Sequence, residues 1–315
     1  RIEQWPSNPL VAGSNPAGGA TICGTHYRTG TSAMNDSVRD ERDVAIKSMG
    51  LYHHVDRVVN ELRELGKAEG EPLQANDLTA FDQLHYHGTD AVDEAIRMMG
   101  IGAESSVLEI GSGFGGPARH LAAASGAAVT ALELQEDHHL MAVNLTLRCG
   151  LADRVSHVCG DFLTHPLDGT RFDAIASWLA LYHIPGRGVL LDRCRTLLAD
   201  SGFFYAEDLY ERRPFDGTER ARLSSELFAN ELTSSDRYRR DLVEAGFEVV
   251  AMDDMTEDWT AFTRSRLAGY VAQRERHLRV HGDAVFETMC GFYETMVRLF
   301  AGGKLGGIRV VARRG

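Results

Sequence analysis

The segment Val107-Leu108-Glu109-Ile110-Gly111-Ser112-Gly113-Phe114-Gly115-Gly116 limits this chain to few folds. A short apolar run breaks into glycines and then into the helical pattern PARHLAAASG. A buried strand that turns sharply into a helix needs residues without Cβ atoms, because the backbone there takes unusual dihedrals and comes close to its neighbours. The helix beyond presents unpaired N–H groups. From Ser106 onward the alternation continues. AVTALEL predicts a second strand, DHHLMAVNLTLRCG a helix, VSHVCGD a third strand and FDAIASW a fourth. GVLLDRCRTLLADSG then reads as a helix and GFFYAEDL as a fifth strand. SSDRYRRDLVEAGF predicts another helix, FEVVAMDD a sixth strand and GGIRVVARR the last one. Strand–helix alternation calls for a parallel sheet with helices on both faces. The expected class is α/β, a Rossmann-like seven-stranded mostly parallel sheet with N-terminal helices and a late helical lid insertion.

Five segments follow. Residues 1–33 contain WPSNPLVAGSNPAGGA, with neither helical nor strand period, and are expected to be a disordered leader or extension. Residues 34–100 form an N-terminal helical cap. Val44, Met49, Leu51, Val55, Val58, Val59, Leu62 and Leu65 predict one amphipathic helix over 40–66, and Thr89 is placed as the N-cap of a helix over 90–99. Residues 101–256 form the core, 257–302 the lid, and 303–315 the terminal strand.

The chain has 45 Asp plus Glu against 33 Lys plus Arg, a formal charge of -12. Nucleic-acid backbones and anionic membranes select for basic surface, so neither is expected as a partner. No apolar run approaches the ~20 residues needed to cross a bilayer. The cysteines Cys23, Cys149, Cys159, Cys194 and Cys290 are scattered, without C-x-x-C pairs or Cys/His ligand spacing. No metal and no disulfide framework are expected, and a reduced cytoplasmic setting follows. Of His138-His139, adjacent on a helix, a surface position is expected.

The glycine segment alone is ambiguous. Gly111, Gly113 and Gly116 also satisfy the dinucleotide fingerprint, so an NAD-dependent oxidoreductase is the first rival. Glu109 places a carboxylate at the strand end, suited to a cationic ligand and awkward beside a pyrophosphate. Glu133 closes the second strand, with Leu134 beside it, where an acid can accept ribose hydroxyls from either cofactor. Asp161 follows the third strand and offers an acceptor for an adenine amino group, with Phe162 to pack on the ring. Each acid alone also reads as a solvated loop residue. The ordered set on successive strands is harder to explain that way.

With E-x-G-x-G, the acid ending strand two and the Gly-Asp after strand three, the chain resembles the class I S-adenosylmethionine-dependent methyltransferases over about residues 78–210. FDQLHYHGTDAVDEA with GSGFGGPAR is similar, more narrowly, to the sarcosine and dimethylglycine N-methyltransferase group and its small-molecule relatives. The resemblance implies S-adenosyl-L-methionine as cofactor, with Glu109, Gly111 and Gly113 at its methionyl part, Glu133 at the ribose and Asp161 at the adenine. Ser177 would line the sulfonium side together with Trp178. Tyr86 and Gly88 would lie near the cofactor carboxylate.

Strand carboxyl ends are where ligands bind in open α/β sheets. His85, Trp178 and Tyr182 are therefore placed as acceptor-binding residues, and His183, Asp208 and His87 as candidates for catalysis, with Glu207 beside Asp208. Trp178 and Tyr182 could enclose a methylated cation, with Asp208 adding charge. Arg264 and Arg266 in the lid could hold a carboxylate. The expected reaction is N-methylation of a small amine such as sarcosine or dimethylglycine, in osmolyte synthesis. S-methylation of a thioether or thiol acid such as methionine or 4-methylthio-2-hydroxybutyrate is the alternative. O- or C-methylation of a natural-product precursor comes third, and outside methyl transfer a catalytically silent Rossmann-like module is the other rival. The partner is a small methyl acceptor, and a homodimer is allowed.

Overall fold

In the computed structural model, which describes residues 46, 49–167, 169 and 171–315, the glycine bend lies at the middle of the sheet. The seven strands are β1 (Ser106–Ile110), β2 (Ala128–Glu133), β3 (Val155–Cys159), β4 (Phe172–Trp178), β5 (Leu198–Glu211), β6 (Phe247–Asp254) and β7 (Leu305–Arg314). Their order is β3-β2-β1-β4-β5-β7-β6, with β7 antiparallel to both of its neighbours. The chain reverses its direction of travel across the sheet between β1 and β4, and that switch point opens a crevice at the strand carboxyl ends. The expected seven-stranded, mostly parallel Rossmann-like sheet is the one observed.

Local chemistry sets the helix ends. In chain order the helices are α1 (Arg57–Glu64), α2 (Thr89–Met99), α3 (Gly116–Ser125), α4 (Glu136–Arg148), α5 (Arg187–Leu197), α6 (Gly217–Leu227), α7 (Ser235–Glu244), α8 (Thr256–Ala272), α9 (Arg274–His281) and α10 (Asp283–Ala301). Pro117 occupies the first turn of α3, where its missing N–H costs nothing, and Gly126 closes the helix in the left-handed conformation. One apolar cluster fills the sheet face under α5 and α7, and another the opposite face under α2 and α3. A third joins the turn residues Met49 and Leu51, α6, α8 and α10. The described residues cluster as one compact unit.

Several expectations need correction. The single helix over 40–66 is not formed: among the described residues 49–56 make turns, and only Arg57–Glu64 is a longer helix. The apolar spacing is satisfied instead by turn residues Met49 and Leu51 buried against the lid. Thr89 is the first residue of α2, with Gly88 as its cap. β5 begins at Leu198, inside the segment read as helix, because Leu198 pairs with Phe172 before a register shift. Helix α6 went unrecognised, although Asp216 and Glu219 form a reciprocal capping box at its start. His138 is fully buried, stacked on Phe114 at 4.6 Å, while its neighbour His139 is partly exposed. The leader over 1–33 lies outside the described residues.

The lid is fixed to the sheet at its root. Trp259 of α8 is fully buried, and a Cβ on Gly307 of β7 would stand 2.0 Å from its indole ring. Its other end meets the cap through ions: Arg276 holds both carboxylate oxygens of Glu61, His281 approaches the same carboxylate at 2.8 Å, and Arg279 pairs with Glu64. Glu61, His277 and His281 lie close enough to share an ion, but Glu61 is already held by Arg276. Among the described residues no helix is long and apolar enough to cross a membrane.

Candidate active site

At the switch point the loops after β1 and β4 meet. Gly111 has φ 75°, and a Cβ there would lie 2.3 Å from the Cβ of Ala180, so no larger residue fits. The N–H groups of Gly111 and Ser112 both donate to the Leu132 carbonyl, which fixes the bend against β2. Glu109 pairs in register with Ala131 of β2, and Glu133 with Cys159 of β3. Glu109, Glu133 and Asp161 thus stand at the carboxyl ends of three adjacent strands, and all three are buried. Glu133 accepts the N–H of Gly113 at 2.7 Å through one oxygen and that of Gln135 at 2.9 Å through the other. Asp161 accepts the N–H of Leu163 at 2.9 Å, and Phe162 beside it is buried. Burial holds the Glu109 carboxyl well above the usual range; Arg119 opposes that shift, and the Glu133 carboxylate adds to it.

The segment 82–88 of the cap covers the bend. Arg119 of α3 and Asp82 form an ion pair at 2.9 Å, both almost wholly buried. His85 is buried, and burial together with Arg266 and His87 lowers its pKa to about 3. Tyr86, expected beside the cofactor carboxylate, turns into the lid, where its ring meets Trp259, Phe262 and Phe300. Gly88, expected there as well, caps α2 with φ 54°. His87 is half-exposed, bonded to Asp258 of α8 at 2.6 Å, with its ring 4.5 Å from Phe262.

Beyond β4, Ser177 donates its hydroxyl to the Ile110 carbonyl at 2.8 Å. Trp178 meets His85 at 5.8 Å and Tyr205 at the same distance, whereas Tyr182 lies against His183 at 4.0 Å. Those two aromatic rings, expected to form one cage, belong to different clusters. Asp208, a candidate for catalysis expected to add charge to that cage, is engaged on both oxygens. It is fully buried, with one oxygen taken by the N–H groups of Tyr182 and Leu209 and the other by Arg187 and Tyr238. Glu207, on the opposite face of β5, accepts from Tyr205 and Arg309.

His183 has a defined tautomer. Its Nδ1 lies 3.0 Å from the Phe228 carbonyl, which can only accept, so Nδ1 carries the proton. Nε2 then accepts from the Tyr52 hydroxyl at 3.3 Å. Burial lowers the His183 pKa to about 4, so the ring is neutral at neutral pH.

Arg264 and Arg266 do not converge. Arg264 is exposed and lines a cleft of about 640 Å³ with Arg212, Asp254 and Glu257, between the root of α8 and the end of α10. Arg266 reaches the other way, donating to the His85 carbonyl at 2.7 Å among the rings of Tyr86, Phe262 and Tyr293. Sequence reasoning missed Tyr52, Arg57, Asp82, Gln83 and Arg119. Arg119 had a signal in its place on the first turns of the glycine-loop helix. Nothing local marked Tyr52 or Arg57.

The buried polar atoms without hydrogen-bond partners include Gln83 Oε1, both ring nitrogens of His85, Glu109 Oε2, Ser112 Oγ and Trp178 Nε1. Buried polar groups are normally satisfied, so such a set on the cap, the bend and the end of β4 fits a polar ligand with donor and acceptor groups of its own. A parallel sheet with a glycine bend at its switch point, ringed by carboxylates at successive strand ends, defines the class I methyltransferase fold.

Residues 107–202 match the methyltransferase domain family, whose members use S-adenosylmethionine. A sterol 24-C-methyltransferase of Gibberella zeae is 31% identical over 172 residues, covering 52% of this chain and 45% of that one. A sarcosine/dimethylglycine N-methyltransferase of Halorhodospira halochloris is 27% identical over 187 residues, covering 59% and 66%. The chain spans less than two thirds of the length of these relatives. Among solved structures, a phosphoethanolamine N-methyltransferase of Haemonchus contortus superposes with a TM-score of 0.68 at 16% identity, over 74% of this chain and 54% of that one. That likeness concerns the fold.

Proposed function

We propose that the protein transfers a methyl group from S-adenosyl-L-methionine to the nitrogen of a small amine of the sarcosine or dimethylglycine kind. The observation that carries this reading is the set of buried carboxylates, Glu109, Glu133 and Asp161, at the ends of β1, β2 and β3 around the glycine bend. Glu133 would hold the ribose, Asp161 with Phe162 and Leu134 the adenine, and Glu109 with Gly111 and Gly113 the methionyl part. Ser177 and Trp178 would line the sulfonium side. The bound donor supplies a methyl group on a positively charged sulfur.

The chain's own contribution is alignment and exclusion of water. Holding two reactants in line is worth effective molarities of roughly 10⁵–10⁸ M. An ammonium acceptor must also lose a proton before its lone pair is free. His183 would take it through Nε2, which accepts from Tyr52 in this arrangement while Nδ1–H is fixed on Phe228; burial keeps the ring neutral and makes it a weaker base than a free imidazole. Asp208 has both carboxylate oxygens engaged, by Tyr182, Leu209, Arg187 and Tyr238, and offers no free basic atom in this arrangement, whereas His87 is held by Asp258 through one ring nitrogen only. The N-methyltransferase relative supports an amine acceptor, and the sterol relative matches at comparable identity.

A turnover screen decides between them. The protein is supplied with S-adenosylmethionine and glycine, sarcosine, dimethylglycine, phosphoethanolamine, methionine, 4-methylthio-2-hydroxybutyrate or a sterol, and released S-adenosylhomocysteine is read. Turnover with the amines is expected. Turnover confined to the thioethers or the sterol overturns the amine reading. No binding of S-adenosylhomocysteine in calorimetry overturns methyl transfer itself.

A further inference from the structure

Among the described residues three arginines are buried, and two of them face an acid. Arg119 has Asp82 at 2.9 Å and Arg187 has Asp208 at 2.9 Å. The third, Arg57 on α1, is 9% exposed and has no carboxylate among its hydrogen-bond or ion-pair partners in the described residues. Its Nη1 donates to the thioether sulfur of Met289 at 2.8 Å, and its guanidinium stands 5.6 Å from the ring centre of Phe114. Phe114 belongs to the glycine bend, so this cation lies beside the crevice already described. Burial lowers its pKa, Tyr293, Tyr270 and Tyr52 oppose that shift and Arg266 adds to it; the rings of Tyr270 and Tyr293 meet at 5.2 Å, and Arg266 stands 5.8 Å from the centre of Tyr293.

A buried charge is costly unless it is paired and hydrogen-bonded. Arg266, which also acts on Arg57, carries the same sign and raises the cost. Arg266 is itself without an acid: it donates to the His85 carbonyl and is otherwise bordered by aromatic rings, Tyr293 among them at 5.8 Å. Arg57 stands over Phe114 and Arg266 over Tyr86, Phe262 and Tyr293, and among the described residues neither guanidinium has a carboxylate partner. Guanidinium forks match carboxylate and phosphate oxygens bidentately, and tyrosine hydroxyls can donate to the same oxygens. A neutral lipid in this place would leave both charges uncompensated.

We propose that Arg57, together with Arg266 and the hydroxyls of Tyr270 and Tyr293, binds an anionic group, a carboxylate or a phosphate, carried by the methyl acceptor. The inference rests on the methyltransferase reading and narrows it to acceptors that bear such a group.

The test compares acceptors with and without the anionic group: dimethylglycine with dimethylaminoethanol, and phosphoethanolamine with ethanolamine. For the wild type, kcat/KM of the anionic member is expected to exceed that of its neutral partner by roughly 100-fold, mainly through KM. The pair with the larger ratio tells carboxylate from phosphate. In R57M the ratio falls towards one, and in R57K it lies between. A stability readout separates binding from a structural role. Without acceptor, R57M is expected to unfold at a temperature no lower than the wild type, because an unpaired buried charge has been removed. Dimethylglycine or phosphoethanolamine should raise the unfolding temperature of the wild type in the presence of S-adenosylhomocysteine, and not that of R57M. Equal kcat/KM within both pairs, with normal S-adenosylhomocysteine binding, overturns the pocket and leaves methyl transfer standing. A strongly destabilised R57M whose charge preference is intact also overturns it. Failure to bind S-adenosylhomocysteine overturns the underlying reading instead, and an unchanged unfolding temperature with inorganic phosphate and acetate then removes the anion site as well.

Discussion

The carboxylate of Glu133 accepts the backbone N–H of Gly113 at 2.7 Å, tying the end of β2 to the bend that follows β1. The second oxygen of the same carboxylate holds Gln135 N–H at 2.9 Å, so the group is fixed before any ligand arrives. An acceptor held in this way meets a ribose without paying to be ordered. Hydrogen bonds to a charged group are worth about 1.5–3 kcal/mol each, so Glu133→Ala is expected to weaken S-adenosylhomocysteine binding roughly 10- to 100-fold. The fold should remain, because the strand and bend keep their backbone pairing. Calorimetry and far-ultraviolet dichroism check the two halves, and an unchanged affinity refutes the assignment.

The pair formed by Asp82 and Arg119 fastens the covering segment to α3. Both groups are almost wholly buried, so removing one leaves the other charged and unpaired. Arg119→Met is expected to cost about 3–5 kcal/mol in urea unfolding, whereas replacing both partners by apolar groups of similar volume costs much less. If the single and double variants lose the same stability, the coupling drawn here does not exist.

His183 makes stability depend on pH in one direction. Its folded pKa is lowered to about 4, while the unfolded chain titrates near 6.5. Between those values the unfolded chain binds the extra proton, so the native state loses stability as pH falls from 6.5 towards 4 and gains nothing above 6.5. At about 1.4 kcal/mol for each tenfold change in proton affinity, the contribution reaches about 3 kcal/mol at the acid end. His183→Asn should flatten the stability profile over that window. A profile as steep as that of the wild type would count against the buried neutral ring.

Much of this was legible in the chain. The run FDAIASW predicts β4 and FEVVAMDD predicts β6 to the residue, because a strand buried on a face and bounded by turn residues carries its own period. Glu109, Glu133 and Asp161 were legible for a related reason: each follows directly from where its strand ends. Asp208 was misread because its position at a strand end says nothing of the Arg187 and Tyr238 side chains that close over it. The turns at 49–56 were hidden by apolar spacing that a helix would share, and contact with the lid decided the matter.

Local pattern therefore determined the sheet, the glycine bend and the acids around it, since hydrophobic period and glycine placement act over neighbouring residues. Which arginines would find an acid, which histidine would be held neutral, and which ring would turn into the lid rather than the crevice were decided by folding alone. Those outcomes depend on groups far apart in the chain, such as Tyr52 with His183 and Arg57 with Met289, that meet only when cap, lid and sheet are brought together.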